Sequence, residues 1–216
     1  MKYKTKGIVL KSTRYRDNDR IVQIYTQDFG KVSYLVHAPA SKRSVCRTPY
    51  LQALSVLSLE VDHHDKRELQ HIVETSPLEL HPGILADPLK AAIAFFMADL
   101  AAAALYSADQ DEDLFDFLED YSLRLDRCEE GIELFPVNFA VALMGHIGFY
   151  PTDSPHNDFV GLLNQDDRLL FQTVCQNKLT APQSAKALRL MLQYFRYHLA
   201  SNFRSDSVEM LLEMLR

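Results

Sequence analysis

The chain has 216 residues, 47% of them hydrophobic and 24% charged, with a formal net charge of -6. This composition excludes wholesale disorder and suits one large folded domain or two small ones. No run reaches the roughly 18 apolar residues of a membrane span, no apolar segment follows the charged N-terminal residues as a signal peptide requires, and three scattered cysteines (Cys46, Cys128, Cys175) predict free thiols in a reducing cytoplasm.

The first 75 residues read as strands. Gly7-Ile8-Val9-Leu10 is a short β-branched run, and Arg20–Thr26 is a second. Asp28-Phe29-Gly30 is a turn in which Gly30 is free to take a positive φ, and Lys31–Val36 runs back, so residues 20–36 form a hairpin. Val56–Val61 is a fourth strand. Leu69–Glu74 is a fifth, after the polar turn 62–66, and the strands stop near Pro77. Five short strands in so short a segment predict a closed β-barrel of the OB-fold type, since closure removes exposed edges.

From Pro82 the pattern is helical. Asp87-Pro88 starts a helix that continues through Ala91–Tyr106. Leu114, Phe115, Leu118, Tyr121 and Leu125 mark the next, and Pro136–Ile147 a third that ends at Gly148-Phe149-Tyr150-Pro151. Val160–Gln176 and Pro182–Phe203 are further helical segments, and Asp206-Ser207-Val208-Glu209 resembles a capping box before a last short helix. The expected fold class is α+β: a five-stranded OB-fold barrel over residues 1–79, then an all-helical domain over 80–216.

Charge is polarised along the chain. Residues 1–50 hold 11 Lys/Arg against 3 Asp/Glu, a balance of +8, and the remainder carries -14. Such asymmetry marks a polyanion-binding region, or else a solvated face whose partner is an acidic protein. No phosphate-cradling Gly-rich loop, G-x-S-x-G or H-E-x-x-H is present, and no nucleophile, base and oxyanion donor assemble. The expectation is a non-enzyme without a cofactor. His63-His64-Asp65 reads as a surface turn rather than a metal site. The remaining signal is cations interleaved with aromatic residues. Lys6, Lys11, Arg14, Arg16, Arg20 and Lys31 lie on or beside the first three strands, and Lys42, Arg43 and Arg47 in the loop 39–50. Barrels of this type bind nucleic acid with strands 2 and 3 and the flanking loops, so these nine are DNA-binding candidates. Tyr15, Tyr25 and Tyr34 are base-stacking candidates, with barrel core as the competing role for Tyr25 and Tyr34.

Lys4–Ser12, Arg14-Tyr15, Asn18–Val22, Tyr25-Thr26 and Phe29–Ser33 together are similar to the opening of the RecO family of bacterial recombination and repair proteins. Leu51-Gln52 and Ser55–Glu60 also fit, Phe139–Pro151 resembles that family's central helix and its Gly-aromatic-x-Pro ending, and Phe203-Arg204-Ser205 its last helix. The resemblance implies an N-terminal OB-fold and a helical C-terminal domain in a cytoplasmic, nucleoid-associated protein. It implies binding of single- and double-stranded DNA and annealing of complementary strands. It also implies work with RecR and the C-terminal tail of single-stranded-DNA-binding protein to load RecA. A protein-interaction adaptor whose basic barrel binds an acidic partner is the alternative. Two departures stand out. Many members carry a four-cysteine zinc site after the Gly-aromatic-x-Pro segment, whereas Thr152–Asp158 has no cysteine, which predicts no zinc; and a glycine usual after the third strand is replaced by Val36-His37-Ala38-Pro39.

Overall fold

The computed structural model describes residues 2–17, 19–37, 48–64, 66–105, 110–154, 156–199, 203 and 205–215. They fall into two compact units, Met1–Pro88 with Leu105–Arg127, and Leu89–Ala104 with Cys128–Arg216.

In the first unit five strands close into a barrel: β1 (Lys2–Arg14), β2 (Asp19–Thr26), β3 (Gly30–His37), β4 (Val56–Asp62) and β5 (Leu69–Glu79), in the order β1-β2-β3-β5-β4. Every pairing is antiparallel except β3 with β5. Val9, Val22, Ile24, Val32, Tyr34, Val36, Leu57, Leu59 and Val61 fill the interior. On β3 the period-2 burial is clean: Gly30, Val32, Tyr34 and Val36 face in, and the residues between them do not. Gly7 belongs to this lining. A Cβ there would lie 2.5 Å from the Ile24 side chain and 2.7 Å from that of Leu59, so the barrel closes only around a glycine. At the β2–β3 turn Gly30 takes φ 62, and the Thr26 hydroxyl donates to its carbonyl.

β1 is longer than the sequence suggests. Lys2, Lys4 and Lys6 pair with β4, opposite Asp62, Glu60 and Ser58; Lys4 and Lys6 are exposed and alternate with buried Thr5 and Gly7. A bulge between Val9 and Lys11 shifts the register. Val9 opposes inward Ile24, and Lys11 opposes outward Gln23, so the extra residue turns Lys11 to the outside where strict alternation would bury it. β5 likewise runs past the predicted end. Pro77 pairs with Leu57 beside a second register irregularity, the setting in which a strand tolerates proline.

Two helices complete this unit. α1 (Pro82–Ala86) follows His81, whose Nε2 lies 3.1 Å from the Leu54 carbonyl. The third helix of the chain, over residues 112–127, is strongly amphipathic and buries Leu114, Phe115, Leu118, Ser122 and Leu125. The Asp111 side chain accepts from Leu114 N at its start. Asp126 near its end accepts from Ile84 N, tying it to α1.

The second unit is helical, with α2 (Pro88–Ala104), then, numbering the barrel-unit helix Glu112–Arg127 as α3, α4 (Phe135–His146), α5 (Asp158–Gly161), α6 (Gln165–Cys175), α7 (Ser184–Leu199) and α8 (Asp206–Met214). α4 and α6 both pack on α7, around Phe139, Leu143, Phe171, Leu188 and Phe195. Three boundaries differ from the sequence pattern. The segment 160–176 is two helices, because Asn164 caps a fresh start at Gln165. Residues 181–183 form a 3-10 turn closed by a Thr180/Gln183 capping box, so α7 begins at Ser184. Ser205, not Asp206, caps α8: its hydroxyl accepts from Ser207 N, and it also donates to Asp99 of α2. No helix among the described residues is long and apolar enough to cross a membrane.

Candidate nucleic-acid interface

The end of the barrel bearing Arg14, Asp19 and His37 gathers most of the described cations predicted from sequence. The β1–β2 turn is closed by Tyr15 N and Arg16 N, both donating to the Asp19 carbonyl. Lys11, Arg14, Tyr15 and Arg16 are all exposed there, as is Asp17. Among the described residues none of the three cations forms a salt bridge, and the Arg16 guanidinium sits 5.1 Å from the centre of the Tyr15 ring. Arg20 lies beside them in a different role. Its Nε donates to Ser12 Oγ at 2.8 Å and its Nη2 to the Ser12 carbonyl, so it clamps the strands below the turn while remaining partly accessible. His37 closes the same end, 2.8 Å from the Asp19 carboxylate. The loop carrying Lys42, Arg43 and Arg47 lies outside the described residues.

The other candidates are distributed differently. Lys6 is on the outer face of β1, with Nζ 3.9 Å from Glu119 of α3. Lys31 is half-buried opposite Tyr25, and desolvation lowers the pKa of its ammonium. Two of the three stacking candidates are corrected by the fold. Tyr34 is 0% exposed, inside the barrel opposite Val22, and burial drives its phenol well above the ordinary range. Tyr25 is 1% exposed, on the outer face but beneath α3. Its ring stacks on Phe115 at 6.4 Å and its hydroxyl donates to the Asp111 carbonyl at 3.3 Å. Burial, reinforced by the nearby Asp111 carboxylate, pushes it to about 12. Neither ring offers a face to a base. Tyr15, 52% exposed, does. Helix α3 thus occupies part of the outer β1–β2 face, and the cations open to a polyanion concentrate at the turn instead.

The histidine pair of the β4–β5 turn is committed to packing. His63 stacks on Phe29 at 4.2 Å, and His64 pairs with Asp62. Among the described residues no group of three or more His, Cys, Asp or Glu side chains is placed to hold a metal ion, and the segment after Gly148-Phe149-Tyr150-Pro151 lacks the thiolates of a four-cysteine zinc site.

Comparison with known proteins agrees with this architecture. Residues 1–81 match the family model described as Recombination protein O N terminal, and residues 85–154 match Recombination protein O C terminal. The chain is 28% identical to a DNA repair protein RecO of Bacteroides fragilis, covering 99% of both chains. It is 32% identical to that of Phocaeicola vulgatus over 76% of this chain and 69% of the relative. For Flavobacterium psychrophilum the identity is 26%, with 99% of each chain covered. A barrel of OB topology followed by a helical unit, matched by both family models in the same order along the sequence, makes this chain a member of the RecO family.

Proposed function

We propose that the chain is a DNA repair and recombination mediator that binds single- and double-stranded DNA at the β1–β2 turn and anneals complementary strands. In this reading it helps load recombinase together with RecR and single-stranded-DNA-binding protein. The observation that carries it is the exposed group Lys11, Arg14, Tyr15 and Arg16 at one end of a closed barrel. Family membership and relatives named as DNA repair proteins support it. Phosphates are met by cations that form no salt bridge among the described residues, and the exposed Tyr15 ring stacks on a base without reading its identity. Such a surface accepts single strands and duplexes alike. Annealing needs no bond-making: a basic surface that holds two polyanions lowers their repulsion and raises their local concentration.

Fluorescence anisotropy with a single-stranded and a duplex oligonucleotide tests this on the full chain. Replacing Lys11, Arg14 and Arg16 together by Ala is expected to weaken both complexes and to slow annealing of complementary strands. Unaltered binding of both would overturn the assignment. Tight binding of an acidic protein, with no salt-sensitive retention of DNA, would favour an adaptor role instead.

A further inference from the structure

The segment that ends α4 does more than stop a helix. Gly148 takes φ 87, and Phe149 N reaches back to the Met144 carbonyl. The Tyr150 ring lies against α4 where Gly145 has no side chain: a Cβ there would sit 3.0 Å from the ring. These two aromatic residues face α7, which contributes Tyr194, Tyr197 and His198, and together with Asp158 at the start of α5 they line a cavity of about 440 Å³. That volume is within the ~300–1,000 Å³ usual for ligand pockets. His198 is the hub, with ring centres 5.1 Å from Phe149, 4.3 Å from Tyr194 and 5.1 Å from Tyr197. Phe159 braces Tyr194 and Tyr197 from behind, at 5.1 and 5.5 Å.

Tyr150 and Tyr197 remain 57% and 45% exposed, although Tyr194 is buried with its hydroxyl directed at the Tyr150 carbonyl. Aromatic faces carry negative potential and attract cations. Asp158 adds a full negative charge at the wall, and no Lys or Arg lines the cavity among the described residues. Desolvation lowers the pKa of the His198 imidazole, which favours its neutral form. An incoming phosphate would meet the Asp158 carboxylate, and the other imidazole of the lining is that of His156.

We propose that this cavity is an aromatic cage that receives the guanidinium or ammonium of a basic side chain presented by a partner protein. The assignment is independent of the DNA-binding reading, which concerns the other unit.

NMR of the full chain, following the ring resonances of Phe149, Tyr150 and Tyr197, tests it. The probes are a blocked Gly-Gly-Arg-Gly-Gly peptide, its uncharged citrulline counterpart, tetramethylammonium and an oligothymidylate. The arginine peptide is expected to shift these rings saturably, with citrulline weaker by about threefold or more. Tyr197→Leu and Asp158→Asn should each weaken the arginine peptide about threefold to tenfold while leaving oligothymidylate affinity unchanged. Both positions are exposed, and Asp158→Asn alone suffices if Tyr197→Leu does not fold. Equal shifts from arginine and citrulline peptides, or none from either, would overturn the proposal. So would tighter binding of tetramethylammonium, which would assign the cage to a free small cation, or displacement by oligothymidylate, which would assign it to a base.

Discussion

Tyr34 and Tyr15 show how one residue type does opposite work on one barrel. Tyr34 is enclosed, and its hydroxyl has no hydrogen-bond partner among the described residues. Tyr34→Phe removes a buried polar atom without leaving a cavity, so the urea midpoint should stay level or rise by up to about 1 kcal/mol equivalent, with DNA affinity unaltered. Tyr15 is open to solvent, with the Arg16 guanidinium beside its ring. Tyr15→Ala should leave the melting temperature unchanged while weakening single-strand binding by about 1–3 kcal/mol, measured by anisotropy. Tyr25 is a third case. Its folded-state pKa is raised from the usual 10 to about 12, so the neutral phenol is the form that folding favours. By linkage that contribution is whole below pH about 10 and is lost as pH rises from about 10 through about 12. Urea midpoints across this range should fall more steeply for the parent chain than for Tyr25→Phe.

At the scale of elements, a bulge and a helix decide what the barrel displays. The bulge at Leu10 rotates the second half of β1, putting Lys11 on the surface and leaving Arg14 beside the turn. Helix α3 covers Tyr25, withdrawing it from the outer face, and brings Glu119 within 3.9 Å of Lys6, which stays exposed. Its start depends on the Asp111 cap, so Asp111→Ala should cost about 1 kcal/mol in chemical unfolding. The hairpin over residues 20–36 was legible in the sequence because alternation and Gly30 are local signals. The barrel itself was legible from the number and spacing of short β-branched runs. The full length of β1 was not, since its apolar run covers only Gly7–Leu10 and the bounds at Lys2 and Arg14 are set by pairing with β4 and β2. Nor was the burial of Tyr25, which depends on Phe115, ninety residues downstream and within a segment whose own pattern says only that it is a helix. The exposed turn cations could be chosen from sequence because nothing in the strand pattern gave them a packing role. The cage was missed because its rings come from α7 and from a segment read only as a helix stop.

The whole molecule separates its charges along the chain. The first 50 residues carry +8 and the rest -14, so the overall acidity conceals a locally basic stretch. The barrel unit contains both signs: α3 brings Glu112, Asp113, Asp116, Glu119 and Asp120 to the unit whose turn carries Lys11, Arg14 and Arg16. DNA held at that turn should therefore be sensitive to salt in proportion to the few cations that touch it, not to the net charge of the chain. The salt dependence of single-strand binding by the full chain measures that number directly. For the variant lacking Lys11, Arg14 and Arg16, the slope of log affinity against log salt should be shallower by about 2–3, since each lost phosphate contact removes about 0.7–0.9. An unchanged slope would place the phosphates elsewhere and contradict the account.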